Sequence, residues 1–263
     1  MKEADVTVII PCFNAEKTIE RAVNSVLNQT LLPKKIFLID DCSIDNTLNI
    51  AMGLASNSSV HIEVISLTEN QGPSFARNYA WNLAETEFIA FLDSDDAWHE
   101  DKIFYQYNFM KNNPTAVMTG HNFRIGSFEK LDEEYVCFNK INLNKLLFKN
   151  YFITPGVMLK NVISLRFDES MKYSEDYKLW LSILCNYPDS VYYSSSVLGF
   201  LFKPNFGFSG LSGSLYLMQK GEIQSFKYLY KNAQLNIFYF YLALIFSSLK
   251  FFRRLIVTFF RRF

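Results

Sequence analysis

Three carboxylates stand within four residues in the stretch FIAFLDSDDAW: Asp93, Asp95 and Asp96 follow directly on the apolar run 88–92. Groups of one sign so close together repel, and the arrangement calls for a counter-charge. Carboxylates cannot hold a phosphate directly, because both are anionic. They can hold a hard divalent cation, Mg²⁺ or Mn²⁺, which takes oxygen ligands and can bridge to a diphosphate. The bland alternative is a solvated acidic helix cap, and two features weigh against it: the buried character of the preceding run, and a second acid pair, Asp40–Asp41, closing another apolar run. A further pair, Glu175–Asp176, opens EDYKLW; alone it would read as negative charge at a helix N-terminus. No Walker loop is present, and Gly207, Gly210 and Gly213 follow no strand and open no clear helix, so backbone amides are not expected to be the main phosphate cradle.

The elements that must position these acids are legible in the hydrophobic pattern. VTVII (6–10) is a continuous apolar, β-branched run, the mark of a strand buried on both faces; IFLID (36–40) and FIAFL (88–92) read as further buried strands, and HIEVISL (61–67) as a third strand between them. Between them, residues 16–29, 43–55 and 73–85 show helical periodicity or helix-start signals. Alternation of this kind predicts right-handed βαβ units in an α/β fold with a mostly parallel central sheet. Such sheets bind ligands at the carboxyl ends of their strands, which is where Asp41 and the Asp93 cluster fall. The stretch after 115 is less regular, with possible strands at 115–123 and 156–160 and a helix at 175–186. The Gly- and Ser-rich segment 203–214 reads as a mobile loop.

Composition is that of a folded protein with a sizeable core: 263 residues, 49% hydrophobic and 20% charged. Charge is unevenly spread. No acid occurs after Glu222, while residues 223–263 hold seven Lys and Arg, so the first 222 residues carry a net −7 within an overall net charge of zero. Cys12, Cys42, Cys137 and Cys185 form no C-x-x-C pair and no zinc-ligand spacing with the three histidines; reduced thiols in a cytoplasmic setting are expected. The start MKEADV runs straight into a strand-like segment, so no secretory leader is expected.

Two residues near the predicted strand ends, and Asp41 itself, suit a nucleotide. Asp41 is placed to accept the N3–H of a uracil, Phe13 to stack on the base, and Arg77 to reach the base or the diphosphate; core filler and an ordinary surface Arg are the plain readings of the last two. The segments VTVIIPCFNAEKTIERAVNSVLNQT, LIDDCSIDNT, NQGPSFARNYA, FLDSDDAW and SEDYKLW occur in one order and spacing. Over about residues 5–200 the chain thereby resembles the family 2 glycosyltransferases, inverting enzymes of the GT-A fold. The resemblance implies a UDP-sugar donor and a metal at the D-x-D motif. It places Asp95, with Asp93, at the metal, Asp93 also near the donor ribose or sugar, Asp96 toward the donor sugar, and Asp41 and Phe13 at the uracil. It makes Asp176 the general base, with Glu175 beside it. Two departures stand out. Cys42 replaces the Gly usual in the D-D-G-S turn, and Lys203, Pro204 and Asn205 stand where relatives often carry an Arg and a His, so no histidine metal ligand is expected.

The tail carries its own expectation. Residues 232–248 hold no charge, and KFFRRLIVTFFRRF then alternates aromatics with arginines. A basic, aromatic, amphipathic end suits an anionic membrane surface; a helix packed on the catalytic domain, a brief spanning helix and nucleic-acid binding are weaker readings. The expected organisation is a GT-A catalytic domain over 1–214 and a helical, membrane-associating region over 215–263. The resemblance to bacterial members of this family implies transfer of one hexose, glucose ahead of galactose, to an undecaprenyl-diphosphate-linked sugar. The expected place is the cytoplasmic face of the bacterial inner membrane, as a peripheral protein. The rivals are a phosphotransferase with an Asp nucleophile, disfavoured because this cluster follows the fourth strand, and a silent scaffold of transferase fold.

Overall fold

The computed structural model describes residues 3–126, 136–203 and 214–260; the predicted loop at 203–214 lies, apart from its two ends, outside the described residues. The chain runs β1 (Glu3–Cys12), α1 (Ile19–Leu27), β2 (Leu32–Asp40), α2 (Thr47–Ser56), β3 (His61–Ser66), α3 (Pro73–Leu83) and β4 (Phe88–Phe91). It continues through β5 (Ala97–Trp98), α4 (Lys102–Asn112), β6 (Met118–Ile125), β7 (Asn139–Lys140), α5 (Leu143–Phe148), β8 (Met158–Lys160), α6 (Glu175–Asn186) and β9 (Val191–Leu201), and ends in α7 (Leu215–Lys231) and α8 (Ile237–Phe260).

The strands form one sheet in the order β3-β2-β1-β4-β8-β6-β9-β5, with β7 beside β9. The β3-β2-β1-β4 half is parallel throughout, with Val8 opposite both Ile36 and Ala90. β8 is inserted antiparallel between β4 and β6, while β6 and β9 again run parallel. The expected α/β fold with a mostly parallel sheet and flanking helices is therefore present. Its reason is burial. Val6, Val8 and Ile10 of β1 are sealed from solvent in one cluster with Ile19, Ala22, Val23 and Val26 of α1. Each such side chain contributes roughly 1.5–3 kcal/mol relative to exposure. Because β1, β2 and β4 are parallel, Phe13, Asp41 and Asp93 emerge at the same edge of the sheet.

The chain divides into two compact units. The first, Met1–Ile141, Tyr151–Ser164 and Asp189–Phe202, holds the sheet and α1 to α4. The second, Asn142–Asn150, Leu165–Pro188 and Lys203–Phe263, holds α5 to α8. Within this second unit the Tyr177 hydroxyl donates to the Leu146 carbonyl at 2.8 Å, tying α6 to α5. Gln219 Nε2 donates to Ser247 Oγ at 2.8 Å, tying α7 to α8. The cysteines are free. Among the described residues, no helix is long and apolar enough to cross a membrane.

Candidate active site

Strand β4 delivers its chain into a tight turn in which the Asp96 amide donates to the Asp93 carbonyl at 3.1 Å. Three anchors hold that turn. Arg77, on the buried side of α3, donates through Nη2 to Asp93 Oδ1 at 2.6 Å; its side chain is 6% exposed and that of Asp93 32%. Arg77 thus engages the first acid of the cluster. The second anchor is Arg21 of α1. Its Nη2 donates to the Asp95 carbonyl at 2.5 Å, and its guanidinium carbon stands 3.6 Å from the centre of the Phe202 ring. The third is the Phe202 amide, which donates to the carboxylate of buried Asp96.

Asp96 reports the electrostatics of the turn. Burial, first, and then the charges of Asp93 and Asp95 push its carboxyl up to about 8, against the opposing pull of the Phe202 amide and Arg21. Burial and two like-charged neighbours thus bear on one side chain of a turn that gathers three acids in four residues. An all-carboxylate donor set under such stress fits a hard divalent cation. The loop does not gather three carboxylate oxygens within 4.8 Å of one another. The fit is to a cation held by one or two carboxylates, with its other positions open to ligand oxygens. Among the described residues, the group of three that does converge is His99, Glu100 and Asp101. There Asp101 Oδ1 already accepts the Thr30 hydroxyl at 2.7 Å, and the Asp101 amide bonds to His99 Nδ1 at 3.3 Å, as parts of the turn that starts α4.

The neighbouring strand ends are knitted together. Asp41 is buried after β2, and its two oxygens accept the amides of Gln71 and Gly72 at 2.8 Å each. It thereby fixes the loop that leads into α3 and Arg77; a base N3–H there would share oxygens that already accept amides. Phe13 follows β1 and is half exposed, an apolar ring open at the sheet edge. Beside it the Asn14 amide donates to Ser43 Oγ at 2.9 Å, and Asn14 Oδ1 accepts the Ile44 amide at 3.0 Å. Cys42 adopts φ of 61°. The turn keeps a left-handed, glycine-like backbone with a side chain in place of glycine, at a cost of about 1–2 kcal/mol.

Asp176 lies in the second unit, in the first turn of α6, where Oδ1 accepts the Tyr177 amide at 2.6 Å. It is part-exposed while Glu175 is buried. The turn before it is fixed from α7. Ser174, at φ 57°, donates through Oγ to the Met218 carbonyl at 3.2 Å. Gly221 lets α7 approach so closely that a Cβ there would collide with the Tyr173 carbonyl oxygen.

The structure therefore brings Phe13, Asp41, Arg77, Asp93, Asp95 and Asp96 to one edge of the first unit. Sequence reasoning missed Arg21 and Phe202, whose contacts to the acid turn are made with or by the backbone. A hollow of about 390 Å³, lined by Thr86, Glu87, Lys160, Asn161 and Val162, lies at the opposite, amino end of β4. Asn161 there is committed to Trp81, Ala84 and Thr86 as a crosslink.

The profile of Glycosyl transferase family 2 matches residues 7–165. The chain belongs to that family. The family-matched span contains the acid turn, Asp41 and Arg77; Asp176, Phe202 and the last two helices follow it. Among curated relatives, WfgD of Escherichia coli, a UDP-Glc:alpha-D-GlcNAc-diphosphoundecaprenol beta-1,3-glucosyltransferase, is 37% identical over 68% of this chain and 69% of its own length. WfaP of Escherichia coli, described by the same activity, is 32% identical over 68% of this chain and 70% of its own length. Among solved structures, TarS 1-349 of S. aureus in complex with UDP-GlcNAc superposes with a TM-score of 0.72 at 23% identity, covering 93% of this chain and 70% of that one. The family 2 chain thus has the GT-A fold.

Proposed function

We propose that the chain transfers a single hexose, glucose ahead of galactose, from a UDP-sugar to a GlcNAc-diphosphoundecaprenol-type acceptor, with inversion, in the assembly of an O-antigen or related polysaccharide repeat. The observation that carries this reading is the acid turn 93–96, where three carboxyl groups, one of them raised by burial and by the other two, stand together at the carboxyl end of β4. The family membership and the activity printed for WfgD and WfaP support the donor and acceptor.

Asp95, with Asp93, would hold Mn²⁺ or Mg²⁺, whose chemistry is to offset the charge that grows on a departing diphosphate. Phe13 offers its open ring to the uracil, and Asp41 holds the adjoining loop while offering its remaining lone pairs to the base. Arg77 keeps Asp93 oriented, and Asp96 faces the donor sugar. The acceptor hydroxyl forms its bond to the anomeric carbon as the bond from that carbon to UDP breaks on the opposite side. Asp176 takes the hydroxyl proton as general base. One displacement turns an α-linked donor into a β-glycoside. The catalytic part is residues 1–214; residues 215–263 associate with the membrane that carries the acceptor, on the cytoplasmic face of the inner membrane.

The test is a mass-spectrometric donor screen. Purified full-length protein is incubated with a panel of nucleotide sugars, a synthetic GlcNAc-diphosphate-lipid and Mg²⁺ or Mn²⁺, with and without chelator. One hexosyl product from a UDP-sugar, lost on chelation, is the expected result. Product from no donor removes the lipid-linked GlcNAc acceptor, and product that survives chelation removes the metal.

A further inference from the structure

Helix α8 exposes an apolar stripe along its length. Tyr241, Ile245, Leu249, Phe252, Ile256 and Phe260 recur at spacings of three and four and are all exposed, so they share one helix face. The helix of 24 residues spans about 36 Å at 1.5 Å per residue. Its other side meets the second unit: Ala243 and Ser247 are buried, and Phe246, at the margin and still part-exposed, packs its ring 4.9 Å from that of Phe148 on α5.

The charges of the two last helices decide what can cover that stripe. Glu222 is the one acid in residues 214–260, and it is buried. It pairs with Lys250 at 2.5 Å and with Arg254 at 3.8 Å. Two of the cations that give the tail its basic character are thus turned inward and offset. Exposed charge on the helix pair is wholly positive: Lys220, Lys227, Lys231 and Arg253. A second copy of this helix pair would bring cations against cations with no exposed acid to meet them. A surface that is apolar just below an anionic layer matches both features.

We propose that the outward face of α8 is a membrane-docking surface that lies flat in the bilayer interface and is held mainly by its apolar stripe, with the cations adding a smaller attraction to anionic lipid. This deepens the lipid-acceptor reading above, and rests on it for the choice of a bilayer over other apolar partners. Inward pairing of Lys250 and Arg254 means that binding is less salt-sensitive than seven basic residues in the tail would suggest.

The experiment is co-sedimentation of the full chain with vesicles of phosphatidylcholine alone and of phosphatidylcholine enriched in phosphatidylglycerol, at low and high salt. Binding to both is expected, with only the increment due to phosphatidylglycerol lost at high salt. Ile245→Asp with Phe252→Asp should weaken binding to both vesicles by about 100-fold, since each exposed apolar side chain removed from the interface costs on the order of tenfold. Leu249→Gln should give a smaller loss in the same direction. Gln224→Asp with Asn232→Asp adds the same charge on exposed positions of α7 and its end, and should bind neutral vesicles as the parent does. Binding that needs phosphatidylglycerol, vanishes in salt and ignores the α8 substitutions overturns the proposal. So does a parent that ignores vesicles and forms a dimer broken by those substitutions. Transfer to a water-soluble, short-chain GlcNAc-diphosphate acceptor separates the two readings. The Ile245→Asp, Phe252→Asp protein should keep that activity. Normal vesicle binding with no transfer by the parent to any acceptor would remove the proposed activity and leave the docking surface standing.

Discussion

The acid turn after β4 and the helix pair α7–α8 handle like charge in opposite ways. At the turn three acids crowd together; Arg77 bonds to the carboxylate of Asp93, while Arg21 bonds to a backbone carbonyl. Burial, joined by the charges of Asp93 and Asp95, raises Asp96. In the helix pair a single buried acid serves two cations, and the positive surplus is left at the surface. Acids crowded inside a braced turn suit a ligand that must be placed to a fraction of an ångström. Surplus charge on an exposed helix suits a diffuse, fluid partner. The contrast separates a site that positions from a surface that adheres.

The sharpest way to break this comparison is to ask whether the helical unit also takes part in chemistry. Asp176→Asn should lower turnover by about 10²–10⁴-fold while UDP affinity, measured by calorimetry, stays near the parent value. Unchanged turnover would confine the helical unit to adhesion. Next is the bracing of the turn. Arg77→Ala removes the partner of Asp93 and leaves Arg77's buried place empty; a loss of about 2–3 kcal/mol in urea unfolding is expected, at the low end for a broken buried pair because Asp93 is a third exposed. Donor affinity should fall with it, and Arg77→Lys should restore stability better than affinity. A smaller effect tests the support of Asp176: Gly221→Ala forces α7 away from the Tyr173 carbonyl. It should cost about 1–3 kcal/mol, with kcat falling more than donor affinity.

The effect that is smallest at neutral pH concerns acid sensitivity. Burial, aided by the charge of Lys102, pulls His121 down to about 3 from 6.5. Between those values the unfolded chain binds a proton that the folded chain does not, so stability falls as pH drops through this window, by up to about 1.4 kcal/mol per pH unit. His121→Gln should make the fall of Tm between these pH values shallower.

Strands β1, β2 and β4 were legible because burial on both faces leaves a largely apolar run, and edge strand β3, part-exposed, was legible from its β-branched residues. Helix α6 was legible from its acids and periodic apolar residues. Helix α4 was not, because its pattern is partly inverted. Lys102 and Gln106 point inward, Lys102 lying 3.6 Å from the centre of the Trp98 ring, while Phe104 is exposed. Strand β9 was hidden by three consecutive serines, of which Ser194 and Ser196 are buried. The acids of the site were visible because repulsion between neighbours is itself a signal. Arg21 and Phe202 left none, since their partners at the turn include a carbonyl and an amide, groups that every residue carries.

Phe202 has a consequence for the order of assembly. Its amide and ring close a turn formed more than a hundred residues earlier in the chain. A growing polypeptide released from the ribosome as far as β4 already has the acids, but not the groups that brace Asp96 and Arg21. Contacts of such long sequence separation form late and slow the search for the native state. The acid turn is therefore fully braced only after β9 has joined the sheet beside β6.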